Sequence, residues 1–192
     1  MPVALLRNRT RSALQRSAGI VVIALSMVVL PGGAPQAAAP GAATPAAKPS
    51  GSGLPVPRFV SLKAGRVNVR IGPGEDYKIA WVFTRPGLPI EVIQEYDTWR
   101  RIRDSDGTVG WVFQSLLSGK RNAVVAPWAS GDPRPVRTSA APDAPIAAYL
   151  QPGVMAEIDH CATGWCRLKG DKFRGWISQD QLWGVYPGEE VD

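Results

Sequence analysis

The most reactive side chains in the sequence fall within one short run: His160-Cys161 and Cys166, the chain's one histidine and both of its cysteines. A thiol nucleophile needs a base brought alongside it. His160 and Cys161, however, are neighbours in a strand-like run, where adjacent side chains point to opposite faces. No second histidine exists to complete a triad, and three soft ligands without a fourth make a poor metal centre. The intervening Ala162-Thr163-Gly164-Trp165 can form a hairpin loop, and in a chain that begins like an exported one the pattern predicts a Cys161–Cys166 disulfide. A non-catalytic protein with no metal and no cofactor is therefore expected. Asp104-Ser105-Asp106-Gly107 begins like a calcium loop but lacks the later glutamate, and is expected to be a hairpin turn.

Binding chemistry is better represented. Tyr77, Trp81, Tyr96, Trp99 and Trp111 cluster around turns, and an aromatic face offers a large contact area at small entropic cost. Arg70 could pair with a peptide carboxylate or brace its own turn, and bracing is the favoured reading. The candidate ligand set is Tyr77, Trp81, Tyr96, Trp99 and Arg70. Core packing is expected for Trp111, after Gly110, and for Trp176, after Gly175. Trp99 and Trp165 fit either role, and Tyr77 is expected to be exposed.

These residues need short strands to position them. Phe59 to Lys63, Arg66 to Ile71, Lys78 to Phe83, Pro89 to Tyr96, Thr98 to Arg103 and Thr108 to Phe113 have strand composition and are separated by Gly72-Pro73-Gly74, Arg85-Pro86-Gly87 and Asp104 to Gly107. Trp99 and Ile102 break strict alternation, which predicts a bend or bulge in their strand. Gln114 to Leu117 is expected to form one helical turn. The second half repeats the landmarks in order: Val136-Arg137 for Val69-Arg70, Pro152-Gly153 for Pro86-Gly87, Trp165 for Trp99, and Gly175-Trp176-Ile177 for Gly110-Trp111-Val112. Such a series predicts duplication, with the join near Lys120 to Val125.

The N-terminus has the order of a secretory signal: Arg7, Arg9, Arg11 and Arg16, then the apolar run from Gly19 to Leu30, then small residues. An uncleaved anchor is the alternative. The apolar run is short for a bilayer, and no membrane span is expected after cleavage. The divisions expected are a signal at 1–39, a disordered Ala/Pro-rich linker at 40–57, barrels at 58–120 and 121–186, and a tail at 187–192. The chain has 22 basic and 16 acidic side chains; without the four signal arginines the remainder carries only +2. A nucleic-acid partner is thus poorly supported.

Val67-Asn68-Val69-Arg70-Ile71-Gly72-Pro73-Gly74, with Trp99 and Gly110-Trp111-Val112, resembles the bacterial Src-homology-3 (SH3) domain family. The second unit keeps Val136-Arg137, Trp165 and Gly175-Trp176-Ile177 but has Thr138 to Pro142 in place of the Gly-Pro-Gly turn. The resemblance implies an all-β chain of two tandem SH3-like barrels. It implies a periplasmic or secreted binding module for cell-wall peptidoglycan or its peptide stems. The alternative is an adaptor that holds a peptide or an envelope protein.

Overall fold

The structure, a computed structural model, describes residues 51–192. The expected signal at 1–39 and the linker as far as residue 50 lie outside the described residues. Two seven-stranded antiparallel sheets follow one another in the chain. The first contains β1 (Arg58–Leu62), β2 (Val67–Arg70), β3 (Ile79–Phe83), β4 (Pro89–Tyr96), β5 (Trp99–Arg103), β6 (Val109–Phe113) and β7 (Leu117–Ser118). The second contains β8 (Asn122–Val125), β9 (Arg134–Arg137), β10 (Ile146–Leu150), β11 (Met155–Ala162), β12 (Trp165–Lys169), β13 (Arg174–Ser178) and β14 (Leu182–Trp183). Their spatial orders, β3-β2-β6-β5-β4-β1-β7 and β10-β9-β13-β12-β11-β8-β14, are one permutation used twice. The 3-10 turns Gln114–Leu116 and Gln179–Gln181 also correspond. The duplication seen in the sequence is therefore a duplication of whole barrels.

Alternation decides which side chains enter each core. Val67 and Val69 of β2 and Val112 of β6 turn inward, while Asn68, Arg70 and Trp111 occupy the outer parity. Gly110 lies against Val69 and Trp81, and Gly175 lies against Val136 and the carbonyl of Arg137. A side chain at either glycine would strike the crossing strand, which explains why Gly-Trp recurs. Trp111 and Trp176 are consequently not core residues. They stand half-buried on the outer faces of their barrels, because the neighbours Gly110 and Val112, or Gly175 and Ile177, take the inward positions. The irregularity expected in Thr98 to Arg103 also lies elsewhere. β5 runs in continuous register with β6, and the extra residue is Ile93 of β4, between the pairs Val92–Ile102 and Gln94–Arg101. Asp159 of β11 is its counterpart.

Beyond that bulge, one cross-strand position is filled in two chemically different ways. Glu95 faces Arg100 in the first barrel, and Cys161 faces Cys166 in the second. The cysteines form the expected disulfide and are fully buried. Glu95, with only 2 % of its side chain exposed, takes Arg58 at 2.6 Å and Arg100 at 3.2 Å. It also accepts hydrogen bonds from the backbone N and Oγ of Ser52, both at 2.8 Å. Contacts with the first barrel thus begin six residues ahead of the boundary expected at 58. The far end of the chain closes the second barrel in a similar way: Val191 exchanges two backbone hydrogen bonds with Cys161. Buried Gln179 accepts from the Gly188 backbone N and donates to the Glu189 carbonyl. The residues expected as a tail are part of the second barrel's closure.

Both barrels belong to one compact unit, and they dock through polar groups set among aromatic rings. Phe59 lies edge-on to Trp183 at 5.1 Å and against Tyr186 at 4.7 Å. Asn122 donates to the Gly87 carbonyl at 2.7 Å, and the Trp183 indole donates to the Pro89 carbonyl at 3.1 Å. Gly184, at φ +121°, presses on the Asn122 carbonyl, where a side chain would not fit. Buried Glu91 receives the Tyr186 hydroxyl at 2.8 Å and Arg103 Nε at 2.7 Å.

Two measurements test this account. Truncating Glu95 to alanine leaves Arg100 buried without its partner and is expected to lower stability by ~3–5 kcal/mol. Replacing Cys161 and Cys166 together by serine removes a short cross-link worth about 2 kcal/mol, so urea unfolding should rank Glu95→Ala as the more damaging change. Burial, and after it the charge of Glu91, pushes the Tyr186 hydroxyl well above its ordinary pKa of 10.0. A raised folded pKa contributes stability below pH 10.0 that is lost as pH rises past it. Wild type should therefore lose stability more steeply than Tyr186→Phe between about pH 9 and about pH 11, and equal slopes would overturn the assignment.

Candidate functional site

Each barrel carries a groove where β2, β5, β6 and the following 3-10 turn converge, or their equivalents β9, β12, β13 and the second turn. In the first barrel it is lined by Asn68, Arg70, Glu75, Trp99, Phe113, Ser115 and Leu116 and encloses about 220 Å³. In the second it is lined by Arg134, Pro135, Arg137, Pro142, Trp165, Ile177, Ser178, Asp180 and Gln181 and encloses about 390 Å³. Laid on the repeat, Asn68 corresponds to Pro135, Arg70 to Arg137, Glu75 to Pro142, Trp99 to Trp165, Phe113 to Ser178, Ser115 to Asp180 and Leu116 to Gln181. The same concavity has been kept and its lining changed.

The frame of the groove is an arginine and a tryptophan. Arg70 Nη1 donates to the Tyr77 carbonyl at 2.6 Å, and Arg137 Nη1 donates to the Ala144 carbonyl at 2.7 Å, each reaching seven residues ahead. Both arginines thus tie down the loop after their strand, through a carbonyl, while still lining the groove. Trp99 faces Phe113 across β5 and β6, with rings edge-on at 5.5 Å. In the second barrel Ser178 replaces that phenyl ring, so Trp165 is less covered and the groove is wider. Hydrogen bonds, first from Ser178 and then from Gln181, hold the Asp180 carboxyl below its usual range despite some desolvation.

Of the five residues expected to bind ligand, the first groove gathers Arg70 and Trp99. Tyr77 is exposed as expected, but its ring folds back over Gly72 and Gly74. Trp81 packs on the core and edge-on against Phe83 at 6.0 Å. Tyr96, 59 % exposed, sits beside the β4–β5 hairpin and does not line the groove. Asn68, Glu75, Phe113, Ser115 and Leu116 complete the lining without having been singled out as ligand residues. Phe113 was accessible from parity alone, since it lies two residues beyond Trp111 on the same face.

A second band of chemistry lies on the outer face of the second barrel. Arg167 Nε reaches Asp159 at 2.6 Å and Arg174 reaches the same oxygen at 3.0 Å. Although desolvation works against it, these two guanidiniums hold the Asp159 carboxyl below its usual range. Arg167 also sits 5.9 Å above the Trp176 ring, and His160 lies edge-on to that ring. His160 faces away from buried Cys161, as adjacent strand residues must. A cavity of about 710 Å³ lies between the barrels and is rimmed by Lys63, Lys120, Lys169 and Lys172, with Lys120 paired to Glu157 at 2.8 Å.

The family described as "Bacterial SH3 domain" matches the chain twice, at residues 63–119 and 130–184. No curated protein matches it significantly. Among solved structures it is similar to NlpC2 from Trichomonas vaginalis, with 11 % identity and a TM-score of 0.31, covering 67 % of this chain and 48 % of that one. It is also similar to NlpC1 from Trichomonas vaginalis, with 12 % identity and a TM-score of 0.31, covering 75 % and 51 % respectively. The chain thus spans about half the length of each.

The bracing geometry has a direct consequence. Arg70→Ala should lower stability by about 1 kcal/mol and speed amide hydrogen exchange across residues 72–77, and Arg137→Ala should do the same across residues 139–143. Unchanged exchange in either loop would remove the brace from the account.

Proposed function

The chain belongs to the bacterial SH3 domain family, and on that premise we propose that it is a non-catalytic, exported module that binds the cell wall through the peptide stems of peptidoglycan. The observation that carries this reading is the recurrence of one groove on both barrels, built each time on an arginine and a tryptophan. A core needs no such concavity, whereas a short peptide fits a site that offers an aromatic wall, polar backbone and a few charges. The disulfide accords with an oxidising compartment outside the cytoplasm, as does the order of residues at the N-terminus. The pairing of Cys161 with Cys166 and the position of His160 on the outer face, edge-on to Trp176, fit a binding role.

Retention on purified sacculi tests this. The chain from residue 40 onward should be enriched with sacculi, and Phe113→Ala combined with Trp165→Ala should reduce retention by about tenfold without loss of the folded state by circular dichroism. No enrichment over an unrelated small barrel would defeat the wall-binding reading. Capture of one protein that survives digestion of the wall would instead support an adaptor.

A further inference from the structure

The two grooves share a frame, but their unsatisfied polar atoms are of opposite kinds. In the first, Asn68 Oδ1 is a buried acceptor with no hydrogen-bond partner among the described residues. Glu75 on the same rim is exposed and forms no ion pair among the described residues, not even with Arg70. In the second groove proline replaces both of these residues, so the acceptors are gone. Arg134 lines that groove, and its Nε is a buried donor with no hydrogen-bond partner among the described residues. It stands where the first barrel has the core residue Val67. The acid in this groove, Asp180, keeps its charge while accepting a hydrogen bond from Gln181 at 3.0 Å, and the two guanidiniums of Arg134 and Arg137 outnumber it.

A buried polar atom without a partner is destabilising, and a ligand that supplies the partner recovers that loss on binding. An orphaned acceptor beside a carboxylate selects a donor that carries positive charge. An orphaned guanidinium nitrogen beside a second guanidinium selects a carboxylate. Resting on the peptide-binding reading above, we infer that the grooves divide the ligand's charges: the first, through Asn68 and Glu75, takes the ammonium group of a short peptide, and the second, through Arg134 and Arg137, takes a peptide carboxylate. The duplicated barrels are then two half-specific sites for zwitterionic peptides and not two copies of one site.

Trp99 and Trp165 report the two grooves separately, so the test is an NMR titration of the chain from residue 40 onward, following the two indole N–H signals. The probes are alanyl-alaninamide, which has an amine and no carboxylate, and N-acetyl-alanyl-alanine, which has a carboxylate and no amine. The amine probe should shift Trp99, and Glu75→Gln should weaken it about tenfold; the carboxylate probe should shift Trp165, and Arg134→Gln should weaken it about tenfold. Indole positions in the unliganded variants check that each remains folded. Both probes in the same groove, exchanged preferences, or no shift of either indole would overturn the inference. Retention on sacculi without discrimination between the probes leaves wall binding standing and defeats the division of charges. Discrimination without retention does the reverse.

Discussion

The cross-strand couple that closes each barrel is the constraint on which the remaining architecture depends. A barrel of some sixty residues buries a smaller fraction of its surface than a larger domain does and is marginal alone. Among the described residues the first has seven buried apolar residues in its core and the second has fourteen. The smaller core ends in the Glu95–Arg100 ion pair, and a buried charge is tolerable only with its remaining lone pairs satisfied. Ser52, Arg58 and Gln114 provide those contacts, Gln114 by accepting from Arg100 at 2.6 Å. That requirement draws residues ahead of β1 into the fold. The larger core ends in an apolar disulfide, which needs no counter-charge and is covered by backbone from Val191.

Docking of the barrels follows from the same shortage of interior. Phe59 sits on the outer parity of β1, yet it is buried because Trp183 and Tyr186 cover it. The interface is not simply apolar. Glu91, Asn122 and the Pro89 carbonyl each meet a partner of fixed geometry, and such contacts specify orientation more than they add affinity. A defined arrangement of the barrels keeps both grooves open, since neither includes an interface residue.

How much of this was legible in the sequence depends on the range of the interaction. Strand positions, turns and the duplication were accessible because alternation and Gly-Pro punctuation are local signals, and the disulfide followed from reading Ala162 to Trp165 as a hairpin loop. Trp111 and Trp176 were misplaced because hydrophobicity outweighed parity, although the adjacent Gly110 and Gly175 already occupied the inward positions. Tyr77 was exposed as expected, yet its ring rests on its own turn, which a glycine at 72 permits. The roles of Glu91 and Glu95 were out of reach. Each has a hairpin neighbour, Arg103 or Arg100, but also needs a partner more than thirty positions away, and nothing in an isolated strand marks a glutamate as buried.

The loop from Gly72 to Tyr77 gains its meaning from what the repeat does not share. Arg70 and Arg137 hold corresponding loops by the same bond, so the backbone frame is common to both barrels. Within it, Glu75 gives way to Pro142, Asn68 to Pro135, and Phe113 to Ser178. Substitutions at positions that contact neither core nor interface leave stability largely untouched, so they are free to follow a ligand. Between the two barrels the glycine contacts and the arginine braces are kept, while the closing couple and the groove lining differ.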